Sequence, residues 1–581
     1  MSKKIVEEAL SKKEQKDLWA AGYRPALPIT PGYFSLGSVL PAVLYMMRWG
    51  YRRGSGKFSA IYGKEATISK VAEGLSADTS CFDGFGDEVQ QAILGDLLLA
   101  YCLENRRHET GRDKQVQRVF PTHYFSSWID LPVTVAHLRG VPELIVAVLA
   151  RQEDGDVVTN GRGSSHYTVR AGFDKNLLLK IFGIGTRIEG SPNDNLKTDR
   201  FSEQVPVGID QLLAIRLAQS LGEPPTKVRG KKEEPPEITY QQPVAQLASD
   251  QFNEDFSVFL RAYGRHIPRQ SLLSMIDSCF SIAMSNVFLS TLNLIFLWSR
   301  TGAIPQKQDQ HPWPLFVDCS VSADMTLRRF SEECMDDIIR RLSRFSVCMM
   351  CLRILDGQAK QQRLKYPTAS DSMTRINFLG DLLFGRLNES KEIEHDIRKT
   401  CNKLSDALEE EGETQAKQVL DNENVPAAWR LAEALVVMMG DKLQGAQFRQ
   451  YMDSCLMLDQ PNGIGRKRRV TLKGKATERR SIVLTNTALD FLVHRHLRKP
   501  NKHTGPTTLS LTGFIRILSD RYGFCIDEAP PGLSIPSDQL RKNRNYLERR
   551  LRDLGLLVGV NDAEAMKRLR QRFEVNDDNN Q

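Results

Sequence analysis

Between Ser537 and Leu554 the chain reads SDQLRKNRNYLERRLRDL, a run rich in groups that bind anions. At 100° per residue, Leu540, Leu547, Leu551 and Leu554 fall within one narrow arc, which would face a core. The opposite arc presents Arg541, Lys542, Asn545, Arg549 and Arg552. Such side chains neutralise phosphates, and arginine and asparagine also pair bidentately with guanine or adenine edges in a major groove. Ser537 is the expected N-cap. A merely solvated face would also carry acids, and Glu548 and Asp553 are present. The surroundings turn the reading toward duplex DNA. Pro461–Val575 holds 24 Lys and Arg against 11 Asp and Glu, a net +13, whereas the whole chain carries only +8.

A second basic group, Arg466-Lys467-Arg468-Arg469, is expected to be a flexible arm reaching a groove or the phosphate backbone. The other chemical motifs are weaker. Cys348-Met349-Met350-Cys351 has redox or metal spacing, but a four-thiolate zinc site needs a second pair. It also lies in the apolar run Phe345–Leu355, where free cysteine behaves as a small hydrophobe. His494 and His496 point to different faces of a helical pattern and lack a Cys or carboxylate companion. Gly50–Phe58 (GYRRGSGKF) imitates a phosphate loop, yet its first Gly is misplaced and Phe58 replaces the magnesium-binding hydroxyl. Gly183-Ile184-Gly185 lacks a third spaced glycine. Asp318, at the end of the β-like PLFVDCS, suits a turn or a cap better than catalysis. No catalytic residue, metal ligand or cofactor is expected, and the chain reads as a non-enzyme.

Those groups need a frame, and the composition of 41% hydrophobic and 26% charged residues is that of a soluble globular protein. The patterns predict a mainly α, multidomain helical protein with a C-terminal winged helix-turn-helix-like domain. Residues 1–220 read as a mostly helical N-terminal domain, with helical runs at Val39–Trp49 and Val89–Leu103, while Leu144–Leu149 could be helix or strand. Residues 221–244 form a Pro- and charge-rich linker. Mild proteolysis of the full chain should therefore cut within 221–243 before it degrades either flank; early cleavage confined to 245–458 would contradict that division. Residues 245–458 read as a central helical domain, with a stripe of Ile393, Ile397, Leu404 and Leu408 and a buried run Trp429–Met439 behind Pro426. Residues 459–581 carry three helical patterns, Asn486–Leu497, Leu509–Tyr522 and Ser537–Leu554, and then the β-like Leu556-Leu557-Val558.

Cys279–Trp298 is uncharged and long enough to span a bilayer. It also holds Ser281, Ser285, Asn286, Ser290, Thr291 and Asn293, so a buried core helix is expected and no membrane. Ten scattered cysteines, with Lys3-Lys4 followed by Ile-Val-Glu-Glu rather than an apolar leader, suggest a reducing, cytoplasmic setting.

Several segments together resemble a known family. They are Pro314–Ser320, Ser331-Glu332-Glu333 followed by Arg340-Arg341-Leu342, Pro461-Asn462-Gly463 with Arg466–Arg469, Arg521-Tyr522-Gly523, and Leu551–Leu557. Over roughly the last 270 residues the chain is similar to the seventh component of the bacterial methylation-associated anti-phage defence system. The resemblance implies a subunit working beside a large P-loop ATPase and a DNA methyltransferase encoded nearby, with no catalytic residue to carry over. A DNA-binding scaffold subunit is thus the leading reading. A nuclease with dispersed carboxylates and a purely structural adaptor are the alternatives.

Overall fold

The computed structural model describes residues 5–6, 22–54, 56–63, 65–105, 115–131, 137–150, 166–167, 173, 176–189, 199–222, 224–225, 240–364, 372–440, 445–472, 474–500, 507–559 and 567–575. Most of the 221–244 linker lies outside them. The described residues are mainly helical, as expected. The first helices are α1 (Val39–Trp49), α2 (Phe58–Tyr62), α3 (Ile68–Ser76), α4 (Glu88–Tyr101), α5 (Val141–Leu149), α6 (Leu177–Phe182) and α7 (Ile209–Ser220). Then come α8 (Gln246–Tyr263), α9 (Arg269–Thr301), α10 (Met325–Gln361), α11 (Ser372–Leu383), α12 (Ser390–Glu410), α13 (Thr414–Leu420), α14 (Ala427–Met439) and α15 (Gly445–Cys455). The last three are α16 (Asn486–His496), α17 (Leu511–Tyr522) and α18 (Ser537–Asp553).

Among the described residues, strands come only in pairs. Antiparallel pairs join β1 (Leu103–Glu104) to β2 (Arg118–Val119), β3 (His166–Tyr167) to β6 (Tyr240–Gln241), and β4 (Thr186–Ile188) to β5 (Asp199–Phe201). A parallel pair joins β7 (Leu315–Phe316) to β10 (Phe524–Cys525). The longest pair is an antiparallel hairpin of β8 (Gly465–Leu472) and β9 (Lys475–Ile482). The last, β11 (Leu557–Val558) with β12 (Arg568–Leu569), is antiparallel, and Ser510 bridges to Arg568 beside it. Leu144–Leu149 thus resolves to helix, and the Val89–Leu103 run ends in a strand at Leu103.

Helix α9 contains the membrane-length run, and 83% of its most apolar window is buried inside the protein. Several of its polar residues are bonded, Ser290 and Thr291 within the helix and others to neighbouring elements, which is why the core tolerates them. Ser278 Oγ donates to the Asn462 carbonyl and Ser281 Oγ to that of Cys455, each at 2.8 Å. Asp277 pairs with the buried Arg118 at 2.6 Å. One apolar core runs from Ile5 to Leu569, and a smaller one gathers α3, α4 and α7 around Val71, Leu75, Leu98 and Leu217.

Four of the five family-like segments meet in this framework. Ser331 Oγ donates to the Phe316 carbonyl and accepts from the Ile482 amide, both at 2.8 Å, so α10 locks β7 to β9. Gly523 sits at φ 72°, and a Cβ there would lie 2.2 Å from the Trp313 carbonyl oxygen. Only glycine lets β10 come this close to β7. Arg521 and Tyr522 bond the buried Asp255 at 2.8 and 2.7 Å, tying α17 to α8.

His123 is fully buried. Its Nδ1 accepts the Phe125 amide at 3.2 Å, so Nε2 carries the proton and donates to the Ile184 carbonyl at 2.9 Å. A second proton has no place there. Burial holds its pKa down to about 4, and burial holds that of His496 down to about 3. In the unfolded chain each titrates near roughly 6.5. Below that pH the unfolded state binds protons that the native state refuses. Stability is therefore complete above about 6.5 and is lost as pH falls, on the order of 3 kcal/mol for His123 by about pH 4. Denaturant midpoints across pH 7 to 4 should show this slope, and His123→Gln should remove about one proton from it. An unchanged slope would count against the buried neutral imidazole.

Candidate nucleic-acid interface

Helix α18 begins one residue earlier than expected. Pro536 is its N-cap and its carbonyl accepts from Gln539 and Leu540, while Ser537 lies inside the first turn and makes no capping bond. Pro536 is extended, at ψ 142°, the backbone setting in which an N-cap carbonyl accepts the first helical bonds whatever its side chain. The same fold does use hydroxyl caps at Thr485 and Ser510, which open α16 and α17.

Leu547 and Leu551 are fully buried, and Leu540 and Leu554 are half-buried. The polar residue that sequence reasoning missed is Asn543, on the same side. It is 0% exposed, and its Nδ2 donates to the carbonyls of Val317 and Ile526 at 2.8 and 2.9 Å. Its Oδ1 accepts the Cys319 amide at 2.9 Å. The 543, 547, 551 spacing carried that signal, since i, i+4, i+8 residues share a helix face. Arg550, also missed, donates at 3.1 Å to both the Val483 carbonyl and Asn486 Oδ1, and Arg544 reaches Asp527 at 3.1 Å. These bonds fix the helix about its own axis.

The opposite face is exposed at Arg541, Lys542, Asn545, Arg549 and Arg552, as the helical wheel required. The five are not equally free. Lys542 pairs at 2.5 Å with Asp324, which also caps α10, and this contact pulls the Asp324 carboxyl below its usual range. Arg552 pairs with Glu548 at 2.6 Å, whereas Arg549 is 3.9 Å from Asp553 and 79% exposed. Arg541 and Asn545 have no partner among the described residues.

The expected flexible arm is a β-strand instead. Arg466–Arg469 lie in β8, with Arg468 opposite Arg479 and Arg469 opposite Glu478 in β9. The arm is ordered because its alternate cations find fixed acids on α10. Arg468 forks onto the buried Glu332 at 2.9 and 3.0 Å, and Arg479 reaches Asp336 at 2.5 Å. On the other face Lys467 lies 3.4 Å from Glu478, and Arg480 bonds Asp453 at 2.5 and 2.7 Å. Arg466 and Arg469 are exposed and unpaired among the described residues.

The remaining motifs take structural places. Asp318 is buried, and its carboxylate accepts the Ser320 and Ser322 amides at 3.0 and 2.8 Å, the turn role expected of it. Val321 and Ser322 sit at φ 54° and 70°, a strained bend held by those bonds and by Asn543. Cys348 and Cys351 are buried in α10, and burial pushes the Cys348 thiol up to about 12. His494 donates through Nδ1 to the Asp490 carbonyl at 2.8 Å and accepts the Arg572 amide at Nε2. Among the described residues no three His, Cys, Asp or Glu side chains gather as metal ligands.

The family model described as methylation-associated defense system protein MAD7 matches residues 34–573. No curated protein matches, and no solved structure matches.

Proposed function

Because the chain belongs to the methylation-associated defense system protein MAD7 family, we propose that it is a non-enzymatic DNA-binding and scaffold subunit of a bacterial anti-phage defence complex. The observation that carries the DNA half is the outer face of α18, where Arg541, Asn545 and Arg549 stand exposed on a helix anchored from behind by Asn543 and Arg550. A rigid helix presenting Arg and Asn at i, i+4, i+8 suits a major groove. Helices α16–α18 followed by β11–β12, with the Ser510–Arg568 bridge, support reading this region as a winged helix-turn-helix with α18 as its recognition helix. Arg466 and Arg469 would add attraction that does not depend on sequence.

Duplex is favoured over single strands. Single-strand binders stack bases on exposed aromatic rings. Among the described residues, the large exposed apolar side chains include no aromatic ring beyond Tyr33 and Phe384, both far in sequence from the basic region. In this reading the chain works in the cytoplasm beside the system's P-loop ATPase and needs no cofactor of its own. Titrating the full chain with duplex DNA across salt tests the proposal. Salt-dependent affinity without metal-dependent cleavage is the expected result; no binding at low salt, or cleavage, would overturn it.

A further inference from the structure

The hairpin on α10 has one edge covered and one open. β9 lies along α10, as the Ser331, Asp336 and Ile482 contacts fix, so β8 is the outer strand. Main-chain groups of a β-strand alternate between inward and outward. The outward set is identified by Asp459, whose amide donates to the Gly465 carbonyl at 3.1 Å and whose Oδ1 accepts the Lys467 amide at 3.2 Å. Two residues further along each time, Arg469 and Thr471 turn their amides and carbonyls the same way. Both residues are exposed, and nothing among the described residues bonds those groups.

We propose that this open edge of β8 takes up an extended acidic segment of a partner protein as an added strand. Asp459 shows the chemistry in miniature: an acidic residue already docks on the first position of the edge with both a main-chain donor and a carboxylate. The next two positions offer the same groups unfilled. They are flanked by the unpaired Arg466 on one face and Arg469 on the other, so carboxylates of an added strand find a cation on either side. The sugar-phosphate backbone of duplex DNA offers acceptors but no donor for the Arg469 and Thr471 carbonyls, and the donors of DNA lie recessed on base edges. A second copy of this chain would bring four more cations against the same edge, a like-charge arrangement that opposes pairing.

The test uses the full chain and a fluorescein-labelled octapeptide of alternating Glu and Thr, followed by anisotropy. The parent should bind it, and Arg466→Glu/Arg469→Glu should abolish binding. Thr471→Pro should weaken it at least about tenfold, because it removes an outward N–H that the β8–β9 ladder does not use. Amide exchange on the parent gives a readout that needs no variant: Arg469 and Thr471 should slow on adding peptide, while Lys467, already bonded, should not. Peptide binding unchanged by Thr471→Pro, or no slowing at Arg469 and Thr471, would overturn the proposal. So would a loss of duplex-DNA affinity in Thr471→Pro, or dimers of the parent that this variant dissolves.

Discussion

Replacing Asn543 with leucine is expected to destabilise the full chain by on the order of 4 kcal/mol, although the two side chains are close in size. The buried amide serves three main-chain groups: the carbonyls of Val317 and Ile526 and the amide of Cys319. Leucine would leave all three dry and unpaired, at roughly 1–3 kcal/mol each before relaxation. The strained bend at Val321 and Ser322 loses a tether in the same step. Asn545→Ala, two residues away on the exposed face, should change stability by no more than about 0.5 kcal/mol. Denaturant unfolding of both variants separates them. Equal midpoints would mean that water replaces the Asn543 bonds.

Changing Arg541, Arg549 and Arg552 together to alanine is expected to weaken duplex binding about a hundredfold, at roughly 1 kcal/mol per cation. The salt slope should fall by up to about 2.7 if all three sit on phosphates. None of them belongs to the buried side, so the unfolding midpoint should hold. Their single variants should rank by internal pairing. Arg541, with no partner among the described residues, should matter most, and Arg552, held by Glu548 at 2.6 Å, least. Anisotropy between about 50 and 200 mM salt measures both quantities. A triple variant that binds as the parent does across that range would remove α18 from the interface.

The helices were legible because their apolar spacing is strong. The spacing marks Val39–Trp49 to the residue, and the three C-terminal helices to within two at either end. The outer face of α18 followed from the same periodicity. What stayed hidden depended on partners distant in sequence. A run of four cations reads as a loose arm until Glu332, more than 130 positions upstream, is placed beneath Arg468, and Asp336 beneath Arg479 of the strand beside it. Asn543 reads as one more polar residue until the strands it serves are known. The family-like segments carried no catalytic pattern for a related physical reason. Ser331, Gly523, Asn462 and the PLFVDCS strand act as joints, and a joint shows no chemistry in one dimension.

The parallel pairing of β7 with β10 also sets a clock. Leu315 faces Phe524, so 209 residues must follow β7 out of the ribosome before its partner exists. At roughly 5–20 residues per second that is a wait of about 10–40 s. Throughout it, the strand and the turn at Asp318 lack both β10 and Asn543. A nascent chain of this protein therefore spends more than a third of its translation with its central joint open, dependent on α9 and α10 to keep the apolar strand covered.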